Sequence, residues 1–250
     1  MSAACAGLFL LLPEQTGFRL LPHFVSFATG ALIGAALLGL LPEAMEGVGP
    51  GGANGIGAAM VAGLGVFFII EKLVLWRHAH SQEGNHGHDH NGSSHGHDHS
   101  RDGAAGILVL IGDSIHNTLD GILIAAAFLT NVPLGLVTTL AVAAHEVPHR
   151  VGDFAILLHA GLSRQRAMLL NMATGLTSVI GGVAAYFGLS KAQEALPYAL
   201  AVAAAGFLYI AVAGLIPGLH RRADPRTSLA QVVLMSLGVG VIAWAESLTR

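Results

Sequence analysis

The sequence has few charged residues. Of its 250 residues, 11% are Asp, Glu, Lys or Arg, whereas soluble domains carry about 25%. Hydrophobic residues make up 53% of the chain, and the mean hydropathy is +0.65. This composition excludes an ordinary soluble domain. It predicts an integral, multi-pass membrane protein with the lipid bilayer as its main partner.

The chain also has almost no cysteine and no cluster of basic residues. Its single cysteine, Cys5, excludes an internal disulfide framework. The net charge of −3 and the scattered lysines and arginines argue against nucleic acid as a partner. Nothing resembles a nucleotide-binding P-loop, which argues against intrinsic ATP hydrolysis. No catalytic cofactor is expected.

Apolar stretches about as long as a membrane-crossing helix recur along the chain. They cover residues 22–42, 55–76, 104–129, 133–159, 165–189, 196–217 and 228–248. Residues 1–12 are apolar too, but they rise only ~18 Å, less than the ~30 Å hydrocarbon core. The predicted fold is an all-α bundle of about eight transmembrane helices, the first one short. Three spans lie in 1–76, a loop in 77–103 and five spans in 104–250.

The basic residues predict the orientation, because cytoplasmic loops collect Lys and Arg. With eight spans, nine of the twelve fall on one side and only Lys191 and Arg250 on the other, while Arg150 is within the membrane. Both termini are therefore predicted outside, and the loop 77–103 is predicted cytoplasmic. Short loops and a compact chain suggest a bacterial inner membrane.

The loop 77–103 contains eight of the fourteen histidines. It repeats a His-Gly-His-Asp-His string, which predicts a disordered, low-complexity segment. Alternating His and Asp can bind a borderline metal without a fixed fold. The predicted metal-capturing residues are His86, His88, His90, His95, His97 and His99, and a plain solubilising linker is the alternative.

Two polar strings lie deep within apolar segments, where an uncompensated ionisable group costs several kcal/mol. One runs from His116 to Asp120 and the other from His145 to His149. If 104–129 and 133–159 are antiparallel helices, both strings begin ~18 Å into their spans and meet at one depth. The helical spacing places the ligands of each string on one face.

Together the strings predict an intramembrane metal site, since imidazole and carboxylate suit zinc, iron(II) or manganese. The candidate ligands are His116, Asn117, Asp120, His145, Glu146 and His149. Accessory or relay candidates are Glu43, Asp113, Arg150, Asp153 and Asn171, with Glu43 near the entrance. Pro148 removes a helix hydrogen bond, so carbonyls near Ala144 could add oxygen ligands.

An enzyme is the second hypothesis, because residues 145–149 read HExxH, the zinc-protease string. Leu119-Asp120-Gly121 would supply a third ligand for an intramembrane protease. In such proteases that string follows HExxH, whereas here it precedes it by some 25 residues. The order favours transport, and a metal sensor that binds without transporting is a further alternative.

The chain resembles the ZIP (Zrt-, Irt-like) family of divalent metal transporters. The resemblance rests on HNxxDG at 116–121 and on His145-Glu-Val-Pro-His-Arg-Val-Gly-Asp153, which is similar to HExPHExGD. It extends to residues 41–44, 67–72, 152–157 and 206–210. The family implies eight spans, metal movement toward the cytoplasm, usually zinc, and it is compatible with a homodimer.

The sequence departs from this family branch at several polar positions. Arg150 stands where the branch has a glutamate. Span two often has Asp and His where this chain has Ala35 and Gly39. Span seven often has Asp and Glu where this chain has Gly214 and Gly218. We therefore expect Arg150 to pair with Glu146 or to replace a second metal as a tethered charge, leaving one working site.

Overall fold

The computed structural model of the chain describes residues 14–83, 98–220 and 224–248, and every long element in these ranges is helical. The helices are α1 (Glu14–Gly34), α2 (Leu41–Val48), α3 (Ala53–Glu83), α4 (Asp98–Thr130), α5 (Val132–His159), α6 (Arg164–Leu189), α7 (Leu196–Tyr209), α8 (Ile216–His220) and α9 (Pro225–Ser247). Two π-helical segments, π1 (Ala35–Leu40) and π2 (Ile210–Leu215), join α1 to α2 and α7 to α8. A short 3₁₀ turn (Gln193–Ala195) precedes α7. These elements form seven helical columns, confirming the all-α membrane fold.

Local sequence signals set several helix ends. Asn131 separates α4 from α5 and caps α5, since its side chain accepts a hydrogen bond from the amide of Leu134 at 2.8 Å. Asp224 caps α9 in the same way through the amide of Thr227 at 3.0 Å. The one-residue connection at Asn131 makes α4 and α5 antiparallel neighbours in a fixed register.

Two columns form the centre of the bundle. The most apolar windows of Leu20–Val48 and Gln193–His220 are 61% and 56% buried, whereas the corresponding share for α9 is 11%. These two columns, with α3, α6 and α9, are long and apolar enough to cross a membrane. The remaining columns, α4 and α5, carry the buried polar strings. The polar residues therefore sit between apolar helices and not against lipid.

The structure agrees closely with the predicted apolar stretches. Six of the seven lie entirely within helical columns, and 228–248 extends one residue past the end of α9. Helices also cover both ends of the segment 77–103, because α3 continues to Glu83 and α4 begins at Asp98. The short first span and the loop histidines His86 to His97 lie outside the described residues, as does the side chain of His99. The three-part division of the chain stays a prediction.

Glycines let α4 and α6 cross at close range. A Cβ added at Gly121 would clash with the carbonyl oxygen of Ser178, and one added at Gly181 would clash with that of Thr118. Each backbone therefore fills the space that a side chain would need, which is how small residues bring helices together in lipid. This crossing supports the helix that carries His116 and Asp120.

We expect Gly121→Ala to destabilise the protein by about 1–3 kcal/mol, because the added methyl group must push α4 away from α6. Gly65→Ala is the matched control, since a Cβ there meets no atom within 4 Å. Thermal unfolding in detergent would measure both variants. Equal stability of Gly121→Ala and wild type would show that this crossing tolerates a side chain.

Candidate metal centre

The turn at Asn131 brings the two polar strings to the same depth. His116 lies 14 residues before the end of α4, and His145 lies 13 residues after the start of α5. Their Nε2 atoms are 3.3 Å apart. The strings therefore meet, as the spacing predicts.

Four side chains form a cluster that could hold a metal ion, here called the quartet: His116, Asp120, His145 and Glu146. One ligand atom from each lies within 4.8 Å of the others. The Oδ2 atom of Asp120 is 3.4 Å from Nε2 of His145 and 3.6 Å from Nε2 of His116. Two imidazoles and two carboxylates at such distances suit a four-coordinate divalent ion.

The carboxylates of the quartet are buried and incompletely satisfied. Asp120 is 2% exposed and Glu146 is 1% exposed. Both oxygens of Asp120 and the Oε2 atom of Glu146 have no hydrogen-bond partner. Buried carboxylate oxygens without donors are costly unless a cation compensates them. The quartet therefore has the electrostatic character of a cation site.

The ring of His145 is oriented by its own helix. Its Nδ1 atom lies 3.1 Å from the carbonyl oxygen of Ala141, which leaves Nε2 facing His116 and Asp120. Ligating histidines commonly bond their second ring nitrogen to a carbonyl, because this fixes the tautomer and the ring direction. On its other side the ring meets Phe207 at a centroid distance of 6.2 Å.

The other two predicted ligands lie beside the quartet but not in it. The ring of His149 is 5.2 Å from that of His116 and 6.1 Å from that of His145, measured between centroids. The amide of Asn117 is engaged elsewhere: Nδ2 donates to Asp113, and Oδ1 accepts from Arg150 at 2.8 Å. Asn117 thus orients neighbouring charges in this conformation.

Arg150 is buried and bonded to carboxylates on two helices. Its guanidinium is 1% exposed and donates from Nε to Oε1 of Glu146 at 2.7 Å and from Nη1 to Oδ2 of Asp113 at 3.2 Å. The predicted pairing with Glu146 is therefore observed. It leaves Oε2 of Glu146 available to the quartet.

Helix α6 completes the shell around Arg150. Nη1 also lies within hydrogen-bonding distance of Oδ1 of Asn171 at 2.9 Å, of Oγ1 of Thr174 at 2.7 Å and of the carbonyl oxygen of Asn171. Its two hydrogens are shared among these acceptors and Asp113. In return, Nδ2 of Asn171 donates to the carbonyl oxygen of Arg150 at 2.9 Å. Thr174 is not among the predicted site residues, although its spacing of three from Asn171 within an apolar span is a usable signal.

A cavity of about 280 Å³ adjoins the quartet. Its polar lining residues are Glu71, Asp113, His116, His149, Asp153 and Tyr209. Tyr209 donates a hydrogen bond to Glu71. Neither residue was predicted, since they stand 138 positions apart and only folding joins them. Asp113 and Asp153 line this cavity, and their relay role stays a prediction.

Glu43 lies far from the cavity, at the opposite end of the bundle. It accepts a hydrogen bond from Nδ2 of Asn131 at 3.1 Å, at the turn between α4 and α5. Pro148 is buried within α5, which continues through it to His159.

Apart from Arg150, the positions that depart from the family branch lie in or next to the π-helical segments. Ala35 and Gly39 lie in π1, and Gly214 lies in π2. A Cβ at Gly39 would approach Oε1 of Glu246 at 2.6 Å, whereas one at Gly214 or Gly218 would meet no atom within 4 Å. The carboxylate of Glu246 thus fills the space beside Gly39, while Gly214 leaves its side of the cavity open.

The geometry does not support the protease alternative. An HExxH protease needs its glutamate free to activate a water molecule, but Oε1 of Glu146 is bonded to Arg150 and Oε2 faces the quartet. One of the two carboxylate oxygens is therefore already bound to a buried cation.

Comparisons with known proteins agree on one family. The family profile described as ZIP Zinc transporter matches residues 1–246. The chain is 34% identical to zinc transporter ZIP13 of Pongo abelii over 244 residues, covering 93% of this chain and 69% of that protein. It is 36% identical to human zinc transporter ZIP4 over 279 residues, covering 89% of this chain and 43% of that protein. For ZIP13 of Danio rerio the identity is 40% over 141 residues, or 56% of this chain and 40% of the relative. The chain thus spans between two fifths and about two thirds of the length of these relatives.

Proposed function

This chain belongs to the ZIP zinc transporter family, and from that premise we propose that it carries a divalent transition metal, zinc foremost, across a membrane into the cytoplasm through the quartet. The observation that carries the proposal is the set of buried carboxylate oxygens on Asp120 and Glu146 that have no hydrogen-bond donor. A cation that passes through supplies the missing charge. The metal is the cargo, so no catalysed covalent step and no resident cofactor are required.

The formal charges around the site favour one ion at a time. Asp113, Asp120 and Glu146 contribute three negative charges, and Arg150 contributes one positive charge, which gives a net charge of −2. The remaining −2 is neutralised by a single divalent ion. Arg150 thus occupies the place of a second metal as a tethered cation, bonded to Glu146, Asp113 and Asn117.

The cavity supports movement toward the cytoplasm. It extends from His116 to Glu71, next to Lys72 on α3, which is the side where most basic residues collect. Asp113 and Asp153 border this route. They would hold the ion briefly as it leaves the quartet, as predicted for relay residues.

Zinc is the favoured cargo because two imidazoles and two carboxylates are borderline ligands. Iron(II) and manganese bind similar sites, so they are the competitors to compare. In the cytoplasm, the loop histidines His86 to His99 would receive the ion. We also propose that the protein forms a homodimer and that it lies in a bacterial inner membrane. The relatives named above are vertebrate proteins.

The test is uptake of radioactive zinc into proteoliposomes that contain the purified protein, compared with protein-free liposomes. We expect Asp120→Asn to lower the initial rate at least about tenfold, because the amide keeps the shape but loses the charge that faces the ion. Asp224→Asn is the matched control: asparagine caps a helix as well as aspartate does, and Asp224 lies outside the spans.

Each outcome has a distinct meaning. Saturable uptake by wild type and by Asp224→Asn, but not by Asp120→Asn, supports transport through the quartet. Zinc binding by wild type without any uptake would overturn transport and identify a metal-binding relative. Equal uptake by all three proteins would place the route elsewhere.

A further inference from the structure

Thr138 differs from the other helical serines and threonines of the described chain in having a buried hydroxyl without a partner. The side chain is 0% exposed. Other serines and threonines satisfy their hydroxyls on a carbonyl of their own helix three or four residues earlier: Ser26, Thr29, Ser114, Thr118, Thr130, Thr139, Thr174 and Thr177. This includes the next residue, Thr139, which donates to Gly135. Thr138 therefore forgoes a hydrogen bond that its helix offers.

The position of Thr138 on α5 connects it to the metal site. It precedes His145 by seven residues, or two turns, so both side chains lie on one face about 10.5 Å apart along the axis. Asn131, the N-cap residue of α5, precedes Thr138 by a further seven residues. Thr138 thus stands midway between the quartet and the end of α5 opposite the cavity.

Polar groups gather at that opposite end. Asn131 donates a hydrogen bond to Glu43. Leu134, one turn below Asn131, lies beside Gly39, which in turn adjoins the carboxylate of Glu246. An ion arriving from this side meets these oxygens first.

The hydrophobic core against this half of α5 includes many small residues among larger ones. Ala35 and Ala36 of π1, Ala126 and Ala127 of α4, and Ala203 and Ala204 of α7 are 0% exposed and belong to one cluster with Leu134 and Ala141. Small side chains can separate with little rearrangement. Thr138 is the buried polar side chain that α5 presents in this stretch.

We propose that Thr138 is a transient ion ligand on the entry half of the ion route. When the small-residue core opens toward the side of Glu43, the hydroxyl oxygen of Thr138 replaces one water of the ion's hydration shell, halfway between Asn131 and His145. In the closed conformation that same hydroxyl is left without a partner, which costs stability. This inference rests on the proposed transport function.

The experiment compares Thr138→Val, which removes the hydroxyl and keeps the shape, with Thr138→Ser, which keeps the hydroxyl. Thr139→Val is the matched control, because its hydroxyl bonds its own helix. We expect Thr138→Val to lower the maximal rate of zinc uptake about tenfold, while equilibrium zinc binding stays within twofold, since the quartet is two turns away. Thr138→Ser and Thr139→Val should transport as wild type does.

Thermal unfolding separates this role from a structural one. Removing an unsatisfied buried hydroxyl should raise the Tm of Thr138→Val by about 2–4 °C, whereas removing a structural hydrogen bond would lower it. Thr138→Ala repeats the comparison without the branched side chain. Three results for Thr138→Val would each overturn the inference: uptake at the wild-type rate, a joint loss of uptake and zinc binding, or a Tm below that of wild type. Absence of uptake by wild type would instead refute the proposed function.

Discussion

Replacing Arg150 with methionine should destabilise the protein by about 3–5 kcal/mol in the absence of metal. The guanidinium is almost fully buried and pairs with Glu146 and Asp113. Methionine fills a similar volume but leaves two buried carboxylates without a counter-charge, and it leaves Asn171 and Thr174 without their donor. Few single substitutions in this chain remove so many buried bonds at once.

Thermal or denaturant unfolding in detergent with a chelator present would measure this loss. Arg226→Met is the matched control, because Arg226 is exposed at the start of α9 and its substitution should change stability by less than about 0.5 kcal/mol. If Arg150→Met unfolds no more easily than Arg226→Met, the buried carboxylates must be compensated in another way.

The charge reversal Arg150→Glu tests the role of the tethered cation more directly. With a carboxylate in place of the guanidinium, the site would carry −4 and could hold two divalent ions. Equilibrium dialysis should then find one more zinc ion per chain in the variant than in wild type, because any zinc on the loop histidines is the same in both proteins. Equal zinc content in the two proteins would exclude the idea that Arg150 stands in for a metal.

Replacing His145 with alanine should reduce zinc uptake to the level of protein-free liposomes. The variant loses the ligand atom nearest to both His116 and Asp120, and zinc affinity should fall at least about a hundredfold. His145 is 0% exposed, so its removal leaves a buried gap beside the two carboxylates. Uptake of iron(II) and manganese through the same site should fall with that of zinc.

The control for this variant lies on the same helix. His159 also bonds a carbonyl oxygen four residues earlier, with Nδ1 at 2.8 Å from Ala155, but it is exposed at the end of α5. His159→Ala should therefore preserve uptake. Substantial uptake by folded His145→Ala, verified by size-exclusion chromatography, would mean that the ion bypasses the quartet.

Much of the fold follows from hydropathy alone. Long apolar stretches specify helices because a backbone in lipid must satisfy its own hydrogen bonds. The meeting of His116 and His145 also follows from simple geometry, since one residue separates two antiparallel helices and the strings are almost equidistant from it. These features depend on the spacing of residues along the chain, which can be read from the sequence.

Other parts of the site depend on contacts that spacing does not encode. The spacing of Asn117 and His149 places both on the helix faces that carry the quartet. It does not show which side chain binds which partner there, and Arg150 donates a hydrogen bond to the amide oxygen of Asn117. Thr174 and Tyr209 contribute from helices that reach the site only through tertiary packing. The π-helical segments are equally hidden, because a wider turn in an apolar run leaves its hydropathy unchanged.

The guanidinium of Arg150 differs from a second metal ion in one further respect: it is part of the chain. A bound ion is present only when its concentration and its affinity allow, whereas the guanidinium beside Glu146 and Asp113 is present at any metal concentration. If the proposed function holds, the positive charge at this position is therefore independent of zinc supply, and only the quartet gains or loses a cation.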